Sequence, residues 1–309
     1  MPANPNTDLL LITSAGGKQA TALLPLLSSW KNIRLAVHTP ASRARLQALH
    51  PHAETVATDL YSPSNCTSLL KDVSVAIHIG PSYHPHEASI GKMMVDAATN
   101  AHANGTGRLQ HFILSSVFNT QLSKMLNHDS KREIEEHLIE SGLPYTILQP
   151  STFMDNLPVA HLASQPAPIF RAAWSVHVTF SWLALCDLAA AMKSVLEGRE
   201  KHFYAQYPLA STHAPLSFSS ALAILSDKIG KEVKIEVLSF GQAVDSLLIR
   251  LYGKIEGVDP RSKDAAQRMI LYYDGRGMRG NSNVLEWLVG RPGVQFGEWV
   301  EGKVREGGK

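Results

Sequence analysis

Short apolar runs alternate with longer amphipathic stretches through the first half of the chain. The runs are Asp8–Thr13, Ile33–His38, Glu54–Thr58, Val73–Ile79, Leu109–Ser115 and Pro144–Gln149. Several are almost continuously apolar, which predicts strands buried on both faces of a parallel sheet. Between them, Ile90, Met94, Ala97 and Ala101 fall on one helical face. Ser130–Ser141 sets Ile134, Leu138 and Ile139 against Glu133, Glu135 and Glu136, with Gly142 as a stop. Ser130 and Glu133 have the spacing of a capping box at its start. Strands and helices in this rhythm predict an α/β fold, a doubly wound, mostly parallel Rossmann-type sheet.

The rhythm changes after Pro150. "PSTFMDNLP" and "ASQPAPIF" read as loops, followed by a helix over Asp187–Glu197, a strand within "HFYAQYPLA" and a helix over Ser219–Ile229. "KEVKIEVLS" reads as a strand, and Gly241–Asp274 mainly as helix. The expected organisation is a nucleotide-binding region over 1–150 and a smaller substrate-binding lobe over 151–309, packed as one unit. Trp174, Trp182, Phe170 and Phe180 read as core of that lobe in preference to the alternative, a binding stripe.

Composition narrows the function classes. The 309 residues are 44% hydrophobic and 18% charged, with a formal net charge of +2. That balance gives no footprint for nucleic acid or a membrane surface. The N-terminus lacks an apolar signal-peptide core, and no run reaches the length of a membrane span. Cys66 and Cys186 stand far apart and outside any metal spacing, so free thiols in a reducing, cytoplasmic compartment are expected. The sequons at Asn65 and Asn104 are then chance matches.

The first predicted strand runs into "TSAGGKQA". A dinucleotide turn needs glycine for a tight turn, for close approach to a pyrophosphate and for packing of helix on strand. The three positions here are Ser14, Gly17 and Ala20, with Gly16 beside the middle one. Ser14 must keep φ negative or accept strain. Lys18 adds a charge beside the turn. The second strand ends at His38, with Arg43 and Arg45 beyond and no acid, which favours NADP(H) over NAD(H). Asp59, after the third strand, is a candidate for an adenine pocket and equally a turn former.

The chain resembles the NmrA-like family of atypical short-chain dehydrogenase/reductases, relatives of the isoflavone-reductase type. The stretches that carry the resemblance are "LLLITSAGGKQA", "TDLYSPSNCTSLLKDV", "HFILSSV", "SKREIEEHLIESGLPYTILQPSTFMDN", "CDLAAAMKSVLEG" and "NVLEWLVGRPGVQFGEWV". The family loop is typically Gly-x-x-Gly-x-x-Gly, its second strand often ends in arginine, and Arg-Pro follows its sixth strand. This chain has Ser14, Gly17 and Ala20, then His38, then Gln149-Pro150. The resemblance implies NADP(H), with Ser14, Gly16, Gly17, Lys18, Gln19, His38, Arg43, Asp59, Gly80 and Ser115 as cofactor candidates. A protein without bound cofactor is the alternative.

Short-chain dehydrogenases commonly use Tyr-x-x-x-Lys, and the corresponding spacing here is Asn127 to Lys131. In the isoflavone-reductase-like branch that lysine serves without the tyrosine, so Lys131 is the first candidate for proton transfer or ribose binding. The loop "GPSYHPHEAS" puts Tyr83, His84, His86 and Glu87 outside a strand's carboxyl end, where acid–base groups are useful. His84 and His86 lack an evident third metal ligand, and no metal is expected. Ser116, Asn127, Phe153, Met154 and Asn156 are the substrate-binding candidates.

Three functions compete. The first is an NAD(P)H-dependent reductase of a small carbonyl, enone or imine, with natural-product metabolism as one setting. The second is a non-redox cyclase, isomerase or dehydratase using His84, His86 or Lys131. The third is an NADP(H)-sensing regulator without turnover, with a regulatory protein partner.

Overall fold

A computed structural model describes residues 3–103 and 108–307; the sequon at Asn104 lies outside them. The chain divides into two compact units. The first comprises Met1–Gln121, His128–Gln149 and Leu188–Tyr207, and the second Leu122–Asn127, Pro150–Asp187 and Pro208–Lys309.

The first unit is built on seven strands: β1 (Leu9–Ile12), β2 (Asn32–Val37), β3 (Glu54–Ala57), β4 (Val75–Ile79), β5 (His111–Ser115), β6 (Tyr145–Pro150) and β7 (Ala205–Leu209). Their order across the sheet is β7-β6-β5-β4-β1-β2-β3, and β1 to β6 pair in parallel. All of β4, β5 and β6 is buried, as continuous apolar runs require. Sequence order reverses between β1 and β4, which opens the ligand crevice of such sheets outside their carboxyl ends. The α/β doubly wound class is therefore the observed one.

Among the described residues, five α-helices alternate with β1 to β6 along the chain: α1 (Lys18–Leu23), α2 (Pro40–Leu49), α3 (Pro63–Leu69), α4 (Glu87–Ala103) and α5 (Leu126–Glu140). Ile90, Met94 and Ala97 of α4 are buried, as their spacing predicts. Met94 and Ala97 share a core with Phe112, Leu114, Ile134, Leu138 and Ile147. Helix α5 starts one turn before the expected capping box. Ser130 is buried inside it and does not cap it, so the box reading is corrected: Ser130 and Lys131 face inward because the helix has already begun at Leu126. Gly91 lets α4 and α5 approach, since a Cβ there would overlap the Ile134 side chain.

The second unit contains more regular structure than its loop-like sequence suggests. Thr152–Phe153 pairs with Trp182–Leu183, Val159–Ser164 is a helix, and Ile169–Ala172 pairs in parallel with Lys234–Val237. Helices over Phe218–Ile229, Phe240–Tyr252 and Pro260–Gly275 follow, with Gly253 in the left-handed conformation ending the second of them. Phe180 and Trp182 are core, as expected. Phe170 and Trp174 are only half buried and form cavity walls as well, which corrects their reading as core alone. No helix among the described residues is long and apolar enough to cross a membrane.

Candidate functional site

The site grows from the carboxyl end of β1. Thr13 is fully buried, and its Oγ1 donates to the Ile79 carbonyl (3.1 Å), accepts from the Ile79 N–H (2.9 Å) and lies 3.0 Å from His78 Nδ1. Ser14 takes the strained alternative, with φ at 48°. A side chain in that conformation costs roughly 1–2 kcal/mol. Its Oγ offsets part of this by donating to the Ile79 carbonyl at 2.7 Å. The turn closes with Gly17 N–H on the Ser14 carbonyl at 2.9 Å. A Cβ on Gly17 would stand 3.2 Å from that same carbonyl, so glycine keeps the turn tight. Gly17 is the N-cap of α1, with no side-chain cap and no acid in the first turn.

Gln19 and Ser115, separate cofactor candidates in the sequence, are hydrogen-bonded: Ser115 Oγ donates to Gln19 Oε1 at 2.7 Å. The two arginines after β2 diverge. Arg43 turns toward β3 and donates through Nε to the Thr55 carbonyl, while Arg45 reaches back over the β1 turn to the Gly16 carbonyl at 3.5 Å. A cavity of about 240 Å³ beside this turn is lined by Ser14, Val37, His38, Asp59, Pro81 and His84, among others. Asp59 also forms a turn, accepting the Tyr61 N–H at 2.9 Å.

Beneath Gly80 lies a buried polar group. Lys131 Nζ stands 2.9 Å from Glu87 Oε1, with both side chains at most 6% exposed. A Cβ on Gly80 would come within 3.2 Å of Lys131 Nζ and 3.8 Å of His78 Nε2. Glu87 Oε2 accepts the Tyr83 N–H at 3.0 Å, which holds Tyr83 at φ 66°. One turn along α5, buried Glu135 accepts from Thr120 Oγ1 and from Gln149 Nε2. Burial raises its pKa, against the opposing effect of Ser116, Gln149, Thr120 and the Lys131 charge. Gln149 is uncharged, so Glu135 meets a neutral partner there.

His84 and His86 are exposed on the loop. His84 lines the cavity by His38 and Asp59, and the His86 ring stacks on Tyr61 at 4.4 Å. No hydrogen bond or ion pair joins either imidazole to Lys131 among the described residues, and no three His, Cys, Asp or Glu side chains cluster as for a metal. Asn127 sits in the first turn of α5 with its Oδ1 buried and unbonded. Met154 is fully buried in the second unit, Phe153 is half buried, and Asn156 lines a cavity there. Sequence reasoning missed His78 and the Thr13 bracket, because both read as ordinary strand interior.

Burial and the Lys131 charge push the His78 pKa down to about 3; burial, then Arg199 and His202, do the same at His111. Both imidazoles are thus neutral in the fold, while unfolded ones titrate near pH 6.5. Their contribution to stability is full above pH 6.5 and is lost as pH falls toward 3, at about 1.4 kcal/mol per pH unit for each. Urea denaturation between pH 6.5 and 4.5 should show this slope, and His78→Leu should flatten it by about that amount. An unchanged slope would place the proton uptake elsewhere.

The profile of the NmrA-like family matches residues 6–260. An NAD(P)H azoreductase from Xenophilus azovorans is 22% identical over 300 residues, covering 95% of this chain and 97% of that one. The NADPH complex of an NADPH-dependent quinone oxidoreductase from Escherichia coli superimposes with TM-score 0.73 at 22% identity, covering 96% of this chain and 100% of that one. The negative transcriptional regulator NmrA, in complex with NADP, does so with TM-score 0.71 at 18% identity over 96% and 95%. The departures at Ser14, Ala20, His38 and Gln149 are variations within a shared frame, and the chain belongs to the NmrA-like family.

Proposed function

We propose that the protein is an NADP(H)-dependent reductase of a small conjugated organic molecule, a carbonyl, enone or imine, acting in the cytoplasm. The observation that carries this reading is the meeting of two features at the β1 and β4 carboxyl ends. Ser14 of the turn is bonded to Ile79, and the next residue, Gly80, lies directly over the Lys131–Glu87 pair. The site fits the cofactor: the tight turn leads to an uncapped helix start without an acid, suited to a phosphate. The neighbouring cavity takes a nucleotide's base and ribose, and Arg45 stands over the turn as the 2′-phosphate partner. Bound NADPH supplies a hydride. The chain's own contribution is to hold Lys131 Nζ by Glu87, so that its proton is delivered from a fixed position. The names of the azoreductase and quinone oxidoreductase relatives point to conjugated acceptors.

Isothermal calorimetry with NADPH and NADH tests the reading, together with absorbance at the nicotinamide band in the presence of quinones and azo compounds. NADPH binding with acceptor-dependent consumption is expected; no binding at millimolar nucleotide would sink it. Arg45→Gln should weaken NADPH by about tenfold and leave NADH unchanged, as loss of one exposed charge-assisted bond implies. Equal loss for both nucleotides would remove Arg45 from the phosphate. One observation favours the regulatory alternative: Lys131 is sequestered in its ion pair at 5% exposure. That reading expects NADPH binding with no consumption by any acceptor.

A further inference from the structure

The second unit holds its own cavity of about 390 Å³, the size of a small-molecule site. Its walls include Phe170, Trp174, Trp182 and Phe218, locked against one another: Phe170 stacks on Phe218 at 5.9 Å, and Trp174 and Trp182 meet Phe218 edge-on at 5.7 and 4.8 Å. Trp182 Nε1 is already bonded to the Leu216 carbonyl at 3.2 Å, leaving its ring as apolar surface. Such preset ring geometry receives a flat aromatic ligand with little side-chain reordering.

The polar lining is one-signed. Arg250, Arg171 and His161 line the cavity, and no carboxylate does. Arg171 is engaged by Glu236 at 3.0 Å. The guanidinium of Arg250, in the last turn of the Phe240–Tyr252 helix, makes no ion pair or hydrogen bond among the described residues. A guanidinium beside an apolar aromatic box, with its fork unengaged, matches a carboxylate or similar oxyanion.

We propose that this cavity binds a flat aromatic anion, its rings against the half-buried Phe170 and Trp174 side chains and its acid group on Arg250. The binding site stands on its own geometry; only the identification of that anion as the substrate rests on the reductase reading.

Calorimetry of the nucleotide-free protein with 2-naphthoate and its neutral isostere 2-naphthamide tests it. Naphthoate should bind about tenfold more tightly, Arg250→Gln should abolish that preference while preserving amide binding, and Ser246→Trp should block both. Ser246 is an exposed helix position lining the cavity, so that variant leaves the buried core intact. Equal affinity for the two probes, a preference that survives Arg250→Gln, or no heat at millimolar naphthoate would overturn the proposal. The two readings fail separately. Naphthoate binding without NADPH binding defeats the reductase alone, and NADPH binding without naphthoate binding defeats this site alone.

Discussion

Lys131→Met is expected to lower NADPH-dependent turnover by about 10²–10⁴-fold, the range for a lost general acid or base. The same variant should lose about 3–5 kcal/mol of stability, because it strands the Glu87 carboxylate in a buried position. Those two effects must be separated. In Lys131→Met with Glu87→Gln, the stranded charge is gone and the amide oxygen still accepts the Tyr83 N–H, the bond that Glu87 makes at 3.0 Å. The double variant should therefore recover most of the stability and none of the turnover, read by urea denaturation and stopped-flow absorbance. Turnover returning with stability would reduce Lys131 to a structural ion pair. NADPH affinity, measured alongside, separates proton delivery from ribose binding, since only a ribose contact would weaken it.

Asp187→Ala should produce the largest loss of stability in the second unit, about 3–5 kcal/mol. Asp187 is fully buried, and its carboxylate accepts from Ser211 Oγ (2.6 Å), Val294 N–H (2.8 Å) and Arg291 Nη2 (2.7 Å). It thereby fastens the segment before the C-terminal helix, Phe296–Gly307, to the strand-end turn at Ser211. Gly293 completes the fastening, because a Cβ there would overlap the Ser211 backbone. The buried donors outweigh the ion pair here. Arg291 is 44% exposed, so Arg291→Gln should cost no more than about 1 kcal/mol. Similar losses for the two variants would reassign the anchor to the salt bridge.

Much of this architecture was legible from residue pattern alone, for reasons that also mark the boundary of legibility. Strands such as β4 and β6 announce themselves because burial on both faces leaves no polar alternation. Lys131 was found by its spacing from Asn127. Its partner was not, because Glu87 opens a different helix and meets Lys131 only once α4 and α5 pack. His78 was hidden within an apolar strand, where an imidazole reads as core. Arg43 and Arg45 looked equivalent, yet residues two apart point to different sides of a helix, and only Arg45 reaches the turn. In the second unit, aromatic composition marks a core and a cavity wall alike. Phe170 and Trp174 become walls only where neighbouring elements fail to meet. Nothing local to residues 188–207 announces their return to the first unit.

That return has a consequence for how the protein is made. Strand β7 is contributed after the chain has passed through residues 150–187, and Arg199, which bonds Gln110 and Asp8, comes with it. On the ribosome, a nascent chain that has reached residue 150 holds β6 with one side unclosed. All six of its residues are destined for burial, yet its outer N–H and C=O groups await a neighbour that has not been synthesised. Such an edge recruits whatever strand is nearest, including one from a second nascent copy. A fragment excised at residue 150 would keep that exposure permanently. The seven-stranded sheet is therefore complete only once the chain has been made through Leu209, whatever the position of the nucleotide turn near its beginning.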